Sequence, residues 1–350
     1  MCPYSLTTPG GVQGQVLGLA RSLRHLGHEA RVLGPCDGPP PDAGVTPLGR
    51  SVPTAANGSV APIAPDPACQ LRTIRALRDE GFDVLNLHEP LVPGPCMTAI
   101  LFRNAPIIGT FHAAGGSAAY RYLNWGVRQL ARRLDHRCAV SVDAWQMAQE
   151  ALGGDYTLLF NGIEVERFAK ASPWPSDAPT IFFVGRHEPR KGLAVLLEAL
   201  QSLPADVRLW IAGDGPETAS LQARYSHDAR VEWLGRIDDH EKASRLRGAD
   251  VFCAPSLRGE SFGVVLLEGM AAQTPVVASD LPGYRNVARS GADAILVPPD
   301  DAAALAAALA KVLENPTCAE RLVASGRERA EEFSMDNLAA RYVELYERVA

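Results

Sequence analysis

The feature that most restricts this chain is a pattern that runs once, halts at a proline-rich break and then starts again. Short β-branched or apolar runs alternate with stretches of helical periodicity, the sequence form of a parallel sheet covered by helices on both faces. In the first half the expected strands are Glu29–Leu33, Phe82–Leu87, Pro106–Phe111, Cys138–Val142 and Tyr156–Phe160. Between Gly11 and Gly27, residues Val12, Val16, Leu19, Leu23 and Leu26 recur every three or four positions, an amphipathic helix. From Ala171 to Pro179 three of nine residues are proline, and the segment reads as a hinge. The pattern then restarts, with strands expected at Thr180–Val184, Val207–Ala212, Val231–Leu234, Asp250–Ala254, Pro275–Ala278 and Ile295–Val297.

The expected architecture is therefore α/β, with doubly wound Rossmann-like units at 1–170 and 180–334 joined by a linker at 171–179. Such units carry their site at the carboxyl ends of the sheets, here in a cleft between them. Residues 335–350 carry an apolar stripe with no strand after it, and are expected to pack back on the first unit. That unit opens oddly, because only Met1–Ser5 precedes the loop at Gly10-Gly11, against about five or six residues in a usual strand. The expectation is a native start a few codons upstream.

Composition narrows the class. A chain of 350 residues, 47% hydrophobic and 21% charged, suffices for two ordinary cores. Its net charge of −6 argues against nucleic acid as the main partner, which would call for a surplus of Lys and Arg. The seven cysteines are dispersed with no C-x-x-C pair, as in reduced thiols rather than a disulfide frame or a zinc site. No apolar run approaches the roughly 20 residues of a membrane span, and Met1–Ser5 has neither region of a secretion signal. The expected compartment is the cytoplasm.

Several segments could carry chemistry. Gly185–Gly192 falls between an apolar strand and a helix, so Arg186 and Lys191 project from a strand-to-helix turn. Backbone dipoles plus two cations suit a diphosphate, and a solvated basic turn is the plain alternative. Glu260 and Glu268 flank an apolar run; eight helical steps would separate them by about 12 Å, too far for a carboxylate pair that hydrolyses glycosides. The spacing fits two contacts along an elongated sugar nucleotide, or an ordinary amphipathic helix. Gly10-Gly11 permits close approach of a ligand to backbone. His112, ending a buried strand, can face substrate or serve structure. There is no D-x-D triplet and no histidine cluster with metal-ligand spacing, so no metal is expected and charge on a leaving diphosphate would fall to Arg186, Lys191 and backbone dipoles.

Taken in order, Pro9–Gln13, Leu26–Glu29, Asn161–Ile163, Gly185–Gly192, Gly213–Glu217 and Glu260–Glu268 resemble the retaining GT-B glycosyltransferases that carry the E-x7-E motif. The resemblance runs along essentially the whole chain. It implies a metal-independent, cofactor-free enzyme in which Arg186 and Lys191 hold the donor diphosphate, Glu260 contacts the transferred sugar and Glu268 the ribose. Within the family the chain is most similar to members that use GDP-mannose and a phosphatidylinositol acceptor at the inner membrane face. Cys2–Ser5, Asn57–Ala61, Leu87–Pro90, Thr110–His112, Glu188–Gly192, Asp238-Asp239 and Lys242–Ser244 carry that likeness. It implies His112, Arg186, Lys191 and Glu260 as catalytic. It implies that Gly11, Ile237, Asp239, Lys242, Ser261, Phe262, Gly263 and Glu268 join Arg186, Lys191 and Glu260 around the donor, and that Tyr4, Gln13, Asn57, Ser59 and His112 face the acceptor.

Three departures bear on the acceptor. Ala56 and Pro62 stand where those members have a tyrosine and an arginine, and Gly115-Gly116-Ser117 replaces a stretch containing a lysine. A neutral pocket lacks charge-assisted bonds to an acceptor phosphate, so either Arg72, Arg75 or another cation substitutes, or the acceptor is a different polyol or lipid. Basic stretches with apolar partners, Leu71–Arg78 and Arg121–Arg137, suit a peripheral place on an anionic membrane or the solvated faces of ordinary helices. Two alternatives stay open: the same chemistry with a soluble acceptor and a UDP-sugar, and a nucleotide-binding paralogue without activity.

Overall fold

The computed structural model describes residues 1–8, 10–56, 59–112 and 124–350. Its contacts divide the chain into two units, Met1–Gly162 with Met335–Ala350, and Ile163–Ser334.

The first unit begins with α1 (Gly11–His25), β1 (Val32–Gly34), β2 (Val45–Pro47), β3 (Val52–Ala56) and β4 (Ser59–Ile63). It continues through α2 (Pro67–Glu80), β5 (Leu85–His88), α3 (Pro95–Phe102), β6 (Ile107–Phe111), α4 (Asn124–Ala131), β7 (His136–Ala139), α5 (Val142–Leu152) and β8 (Thr157–Leu158). Strands β5-β6-β7-β8 form a parallel sheet in that order, β1 and β2 pair in parallel, and β3 and β4 form an antiparallel hairpin that the sequence pattern did not suggest. Met1 and Cys2 belong to no strand, yet they continue the ladder: Cys2 N–H donates to Leu33 O at 3.0 Å and His88 N–H to Met1 O at 3.0 Å. The strand expected at 138–142 lies earlier, at His136–Ala139, because Ser141 caps the next helix by accepting from Ala144 N–H. The second basic stretch is not one helix: α4 ends at Ala131, and Arg137 lies in β7.

The second unit contains α6 (Val165–Ala169), β9 (Thr180–Val184), a 3-10 turn at Pro189–Lys191, α7 (Leu193–Leu200), β10 (Arg208–Ala212), α8 (Thr218–Arg224) and β11 (Val231–Gly235). It goes on with α9 (Asp239–Gly248), β12 (Val251–Ala254), α10 (Val264–Ala271), β13 (Val276–Ser279), α11 (Pro282–Arg285), β14 (Ile295–Val297), α12 (Ala302–Glu314) and α13 (Pro316–Glu332). Its six-stranded sheet runs β11-β10-β9-β12-β13-β14 with every pair parallel. Strand order reverses direction between β9 and β12, and the crevice outside their carboxyl ends is the topological switch point where such sheets take ligands. Ile181, Phe183, Leu209, Ile211, Val251 and Val277 meet Leu193, Leu196, Leu197, Leu305 and Leu309 in the core under one face of the sheet.

The break between units is not where the prolines put it. The chain passes from one unit to the other at Gly162–Ile163 and returns at Ser334–Met335, so 163–170 and the segment 171–179 belong to the second unit. Trp174 holds that segment down: its backbone N–H donates to Ser244 O at 2.9 Å, and the Arg245 guanidinium stacks on its ring at 4.1 Å. An aromatic anchor among prolines turns a linker-like sequence into part of a packed body.

The last helix, α14 (Met335–Val349), lies in the first unit. Met335, Leu338, Tyr342 and Leu345 repeat at helical spacing and pack on Leu19, Leu23, Ile108 and Cys138. Tyr342 Oη sits 3.1 Å from Thr110 Oγ1, and Tyr346 Oη accepts from Asn86 at 2.9 Å, so the helix is tied to β5 and β6 by polar as well as apolar contacts. All seven cysteines are unpaired and buried. Among the described residues no helix is long and apolar enough to cross a membrane.

Candidate active site

In the second unit the turn after β9 meets the loop after β12 at the switch point. Strand β9 is buried along its length except for Val184 at its end, which releases Gly185 and Arg186 at the sheet's carboxyl edge. The chain then makes the 3-10 turn and enters α7 through Gly192, whose φ of 68° is left-handed. A Cβ there would also lie 1.9 Å from Pro255 O, so only glycine lets the turn come this close to the β12 loop. The approach is sealed by Leu257 N–H donating to Arg190 O at 2.7 Å.

That closeness brings Lys191 to Glu260. Lys191 Nζ lies 2.6 Å from Glu260 Oε1, with side chains 21% and 12% exposed, a half-buried ion pair. Ser256 Oγ donates to the same oxygen at 3.0 Å, and Arg190 Nη1 stands 3.6 Å away. Tyr284 Oη donates to Ser256 Oγ at 3.1 Å, completing a relay from α11 to the carboxylate. Burial first, and then the charge of Glu260, push the Tyr284 phenol well above its ordinary range, so it stays a donor. Gly283 makes room: a Cβ there would meet Glu260 O at 1.8 Å. Arg186 is 58% exposed and pairs with Glu188 at 2.9 Å, a carboxylate it shares with Arg190.

Glu260 is not on the helix. Helix α10 begins at Val264 after Gly263, which has a φ of 100°, so the distance expected for eight helical steps does not apply. Glu260 sits in the loop and Glu268 within the helix, where Lys242 Nζ reaches Glu268 Oε1 at 2.8 Å. This ion pair answers how an apolar helix carries a carboxylate. Lys242 is on α9, which Asp238 caps by accepting from Glu241 N–H, and Ile237 lies just before that cap. Asp239 pairs with Arg167 at 2.7 Å; burial opposes its ionisation, but the Arg167 hydrogen bond and the Lys242 charge outweigh burial and hold its pKa low. Ser261 offers its carbonyl to Asn286 at 3.3 Å. Phe262 is 1% exposed and meets Phe333 edge-on, so its ring is a core residue rather than a ligand surface.

In the first unit the carboxyl ends of β5 and β6 bring together two histidines and a buried carboxylate, Glu89. His112 Nε2 lies 2.8 Å from His88 Nδ1, and its backbone N–H donates to Glu89 Oε1 at 2.8 Å. Burial drives the His112 imidazole down to about 3 and lowers His88 as well, so both rings are uncharged near neutrality. Glu89 is buried with φ at 50°, a left-handed conformation that costs a non-glycine residue about 1–2 kcal/mol. Gln13 donates to Ser5 O at 3.3 Å from a buried position. Tyr4 pairs with Ile63 beside the hairpin, its phenol raised by burial and by the charge of Glu89. Gly11 is the first residue of α1, and a Cβ there would meet nothing within 4 Å. Asn57 lies outside the described residues, and Ser59 opens β4.

The sequence-based site thus separates into a Lys191–Glu260 cluster, a Lys242–Glu268 pair and the His112 corner. Sequence reasoning missed Ser256, Tyr284, Arg190, Glu188, His88 and Glu89 as members. Glu188 and Arg190 stand inside the Glu188–Gly192 stretch, and His88 and Glu89 inside Leu87–Pro90, so those stretches signalled them without a role; Ser256 is suggested only by nearness to Glu260, and Tyr284 gives no sequence signal at all. It also missed Gln15, whose buried amide clasps Gly162 by accepting from its backbone N–H at 2.9 Å and donating to its C=O at 2.8 Å.

Residues 9–167 match the family Glycosyltransferase Family 4, and 164–329 match Glycosyl transferases group 1. A phosphatidyl-myo-inositol mannosyltransferase of Mycobacterium leprae is 41% identical over 362 aligned positions, covering 100% of this chain and 96% of that protein. The chain is a group 1 glycosyltransferase. A phosphatidyl-myo-inositol mannosyltransferase of Propionibacterium freudenreichii is 35% identical, with 82% of this chain and 78% of the relative covered. Among solved structures, Anabaena Alr3699/HepE in complex with UDP-glucose superposes with a TM-score of 0.74 at 19% identity, over 99% of this chain and 98% of that one. The fold of this glycosyltransferase is therefore GT-B, and its chemistry is transfer of a hexose.

Proposed function

We propose that this glycosyltransferase moves a mannosyl residue from GDP-mannose, with retention at the anomeric carbon, to a phosphatidylinositol-type acceptor at the cytoplasmic face of a membrane. The observation that carries the reading is the 41% identity to a phosphatidyl-myo-inositol mannosyltransferase along the entire chain. In this reading Lys191 and Arg186 receive the donor diphosphate at the β9 turn and stabilise the charge that grows as it departs. Three cationic or hydroxyl donors approach Glu260 Oε1, so Oε2 is the oxygen we assign to a hydroxyl of the transferred sugar. Glu268, oriented by Lys242, takes the ribose hydroxyls. By the family resemblance we assign Gly11, Ile237, Asp239, Ser261 and Gly263 to the donor, and Tyr4, Gln13, Asn57, Ser59 and His112 to the acceptor.

The acceptor hydroxyl attacks from the face the leaving group vacates, and the departing phosphate takes its proton. The neutral His112 ring then serves as a hydrogen-bond partner of the acceptor. Calorimetric titration with GDP and with UDP, each with EDTA, tests the donor; incorporation of labelled mannose from GDP-mannose into phosphatidylinositol tests the acceptor. Tight GDP binding without metal and a labelled lipid product are the expected results, and a preference for UDP would overturn the donor assignment. Ala56 and Pro62, neutral where an acceptor phosphate asks for cations, favour a second reading with a soluble polyol acceptor. Transfer to free inositol phosphate at a higher kcat/KM than to the lipid would select it.

A further inference from the structure

Three adjacent facts at the carboxyl edge of the first unit have one explanation. His88, the last residue of β5, is 4% exposed and presents Nδ1 to His112 Nε2 at 2.8 Å, the two rings 5.0 Å apart and inclined by 32°. Glu89, the next residue, turns its backbone into the left-handed region and receives the His112 backbone N–H on Oε1. The backbone of the pair is itself pinned, since His88 N–H donates to Met1 O, Glu89 N–H donates to Thr110 O at 2.8 Å, and Cys96 Sγ donates to His88 O at 3.5 Å. A strained residue persists only where its surroundings hold it. Here the kink lets consecutive side chains grip both the ring and the backbone of one histidine.

We propose that His88 is a positioning residue that fixes the ring orientation and tautomer of His112 in the transferase. An imidazole–imidazole hydrogen bond holds one proton between two nitrogens. If His88 Nδ1 carries it, His112 Nδ1 must carry the other ring proton and acts as a donor; if His112 Nε2 carries it, His112 Nδ1 is an acceptor. The nitrogen of His112 that is left for an acceptor hydroxyl thus has its character set by a residue one shell behind it. His88 lies behind the interacting ring, and the Leu87–Pro90 stretch that holds it gives no sign of the contact, which joins the ends of neighbouring strands. The proposal rests on the acceptor-side reading of His112 and adds the group that makes that reading specific.

The test compares His88→Phe, which keeps an apolar-packing ring and loses the bond, with His88→Asn, whose amide can sit where Nδ1 sits. His88→Phe is expected to lower kcat/KM for the acceptor roughly 10–100-fold, by analogy with the loss of a group that orients a metal-bound imidazole. GDP affinity by calorimetry should stay within about twofold, which also reports an intact fold, and His88→Asn should recover most of the loss. Long-range ¹H–¹⁵N correlation on protein labelled at its eight histidines should show a single His112 tautomer that becomes mixed in His88→Phe. Equal impairment of Phe and Asn variants would assign His88 a packing role and overturn the proposal, as would two His112 tautomers in the unaltered enzyme. Transfer that survives His112→Ala would instead remove the acceptor-side reading, and it would do so whatever the tautomer spectrum shows.

Discussion

The two units equip the ends of their sheets by opposite electrostatic means. At the switch point of the second, four cations have carboxylates: Lys191 and Arg190 meet Glu260, Arg186 meets Glu188, and Lys242 meets Glu268. At the β5 and β6 ends of the first, two imidazoles, the buried His88 and the half-buried His112, are neutral and bonded to each other. Charge held on partly exposed pairs suits an anionic ligand, which can displace or join the carboxylates without leaving a cation unpaired. Uncharged rings suit hydroxyl groups, because the imidazoles need shed no ionic hydration when a polyol enters, and the Glu89 carboxylate beside them is already engaged by the His112 backbone N–H. The difference teaches that one fold, used twice, is specialised by which charges are allowed at the strand ends.

The largest effect should come from breaking the charged side. Lys191→Ala removes a cation from the departing diphosphate and is expected to lower kcat by about 10³ or more, read in transfer from GDP-mannose. Its partner Glu260 would be left facing Arg190 and Ser256, so nucleotide binding should weaken less than kcat falls. An unchanged kcat would remove the β9 turn from the reaction. On the neutral side, His112→Ala should lower kcat/KM for the acceptor by about 10² while leaving GDP affinity untouched. Loss of GDP binding in that variant would contradict a division of labour between the units.

A smaller change sharpens the charged side. Glu268→Gln keeps shape and loses charge, and the KM for the donor should rise about tenfold with kcat nearly constant, the signature of a contact made equally in ground and transition states. A fall in kcat with constant KM would place Glu268 nearer the reacting atoms than we assign it.

The smallest effect concerns pH. His112 has a folded pKa of about 3 against an ordinary 6.5, so its neutral form is favoured on folding. The stability this contributes is complete above pH 6.5 and is lost as the pH falls from 6.5 towards 3, with His88 acting in the same sense. Thermal melts should therefore show Tm declining between pH 7 and 5, before carboxylates protonate, and a His88→Phe, His112→Phe double variant should flatten that limb. A wild-type Tm that rises on acidification to pH 5 would mean that the corner is charged.

Much of the fold was legible in the residues alone, because burial on both faces forces continuous apolar runs and helical periodicity forces the stripes of α1 and α14. Thr180–Val184 and Ile295–Val297 fall where their β-branched and aromatic runs place them. Arg186, Lys191, Glu260 and Glu268 were visible as charges next to glycines and apolar runs. What the order of residues determines by itself is local: which segments form strands, which glycines permit a turn, and which charges stand at a strand end. Tertiary structure alone decided the rest. Trp174, by docking on Arg245 and Ser244, made residues 171–179 part of a body instead of a hinge. Reversal of strand order between β9 and β12 brought Lys191 to a carboxylate 69 positions away, with Tyr284 behind it. Pairing of β5 with β6 set His88 against His112 across 24 positions. Those partners meet because parallel strands join residues remote in the chain, and no local preference records such a meeting.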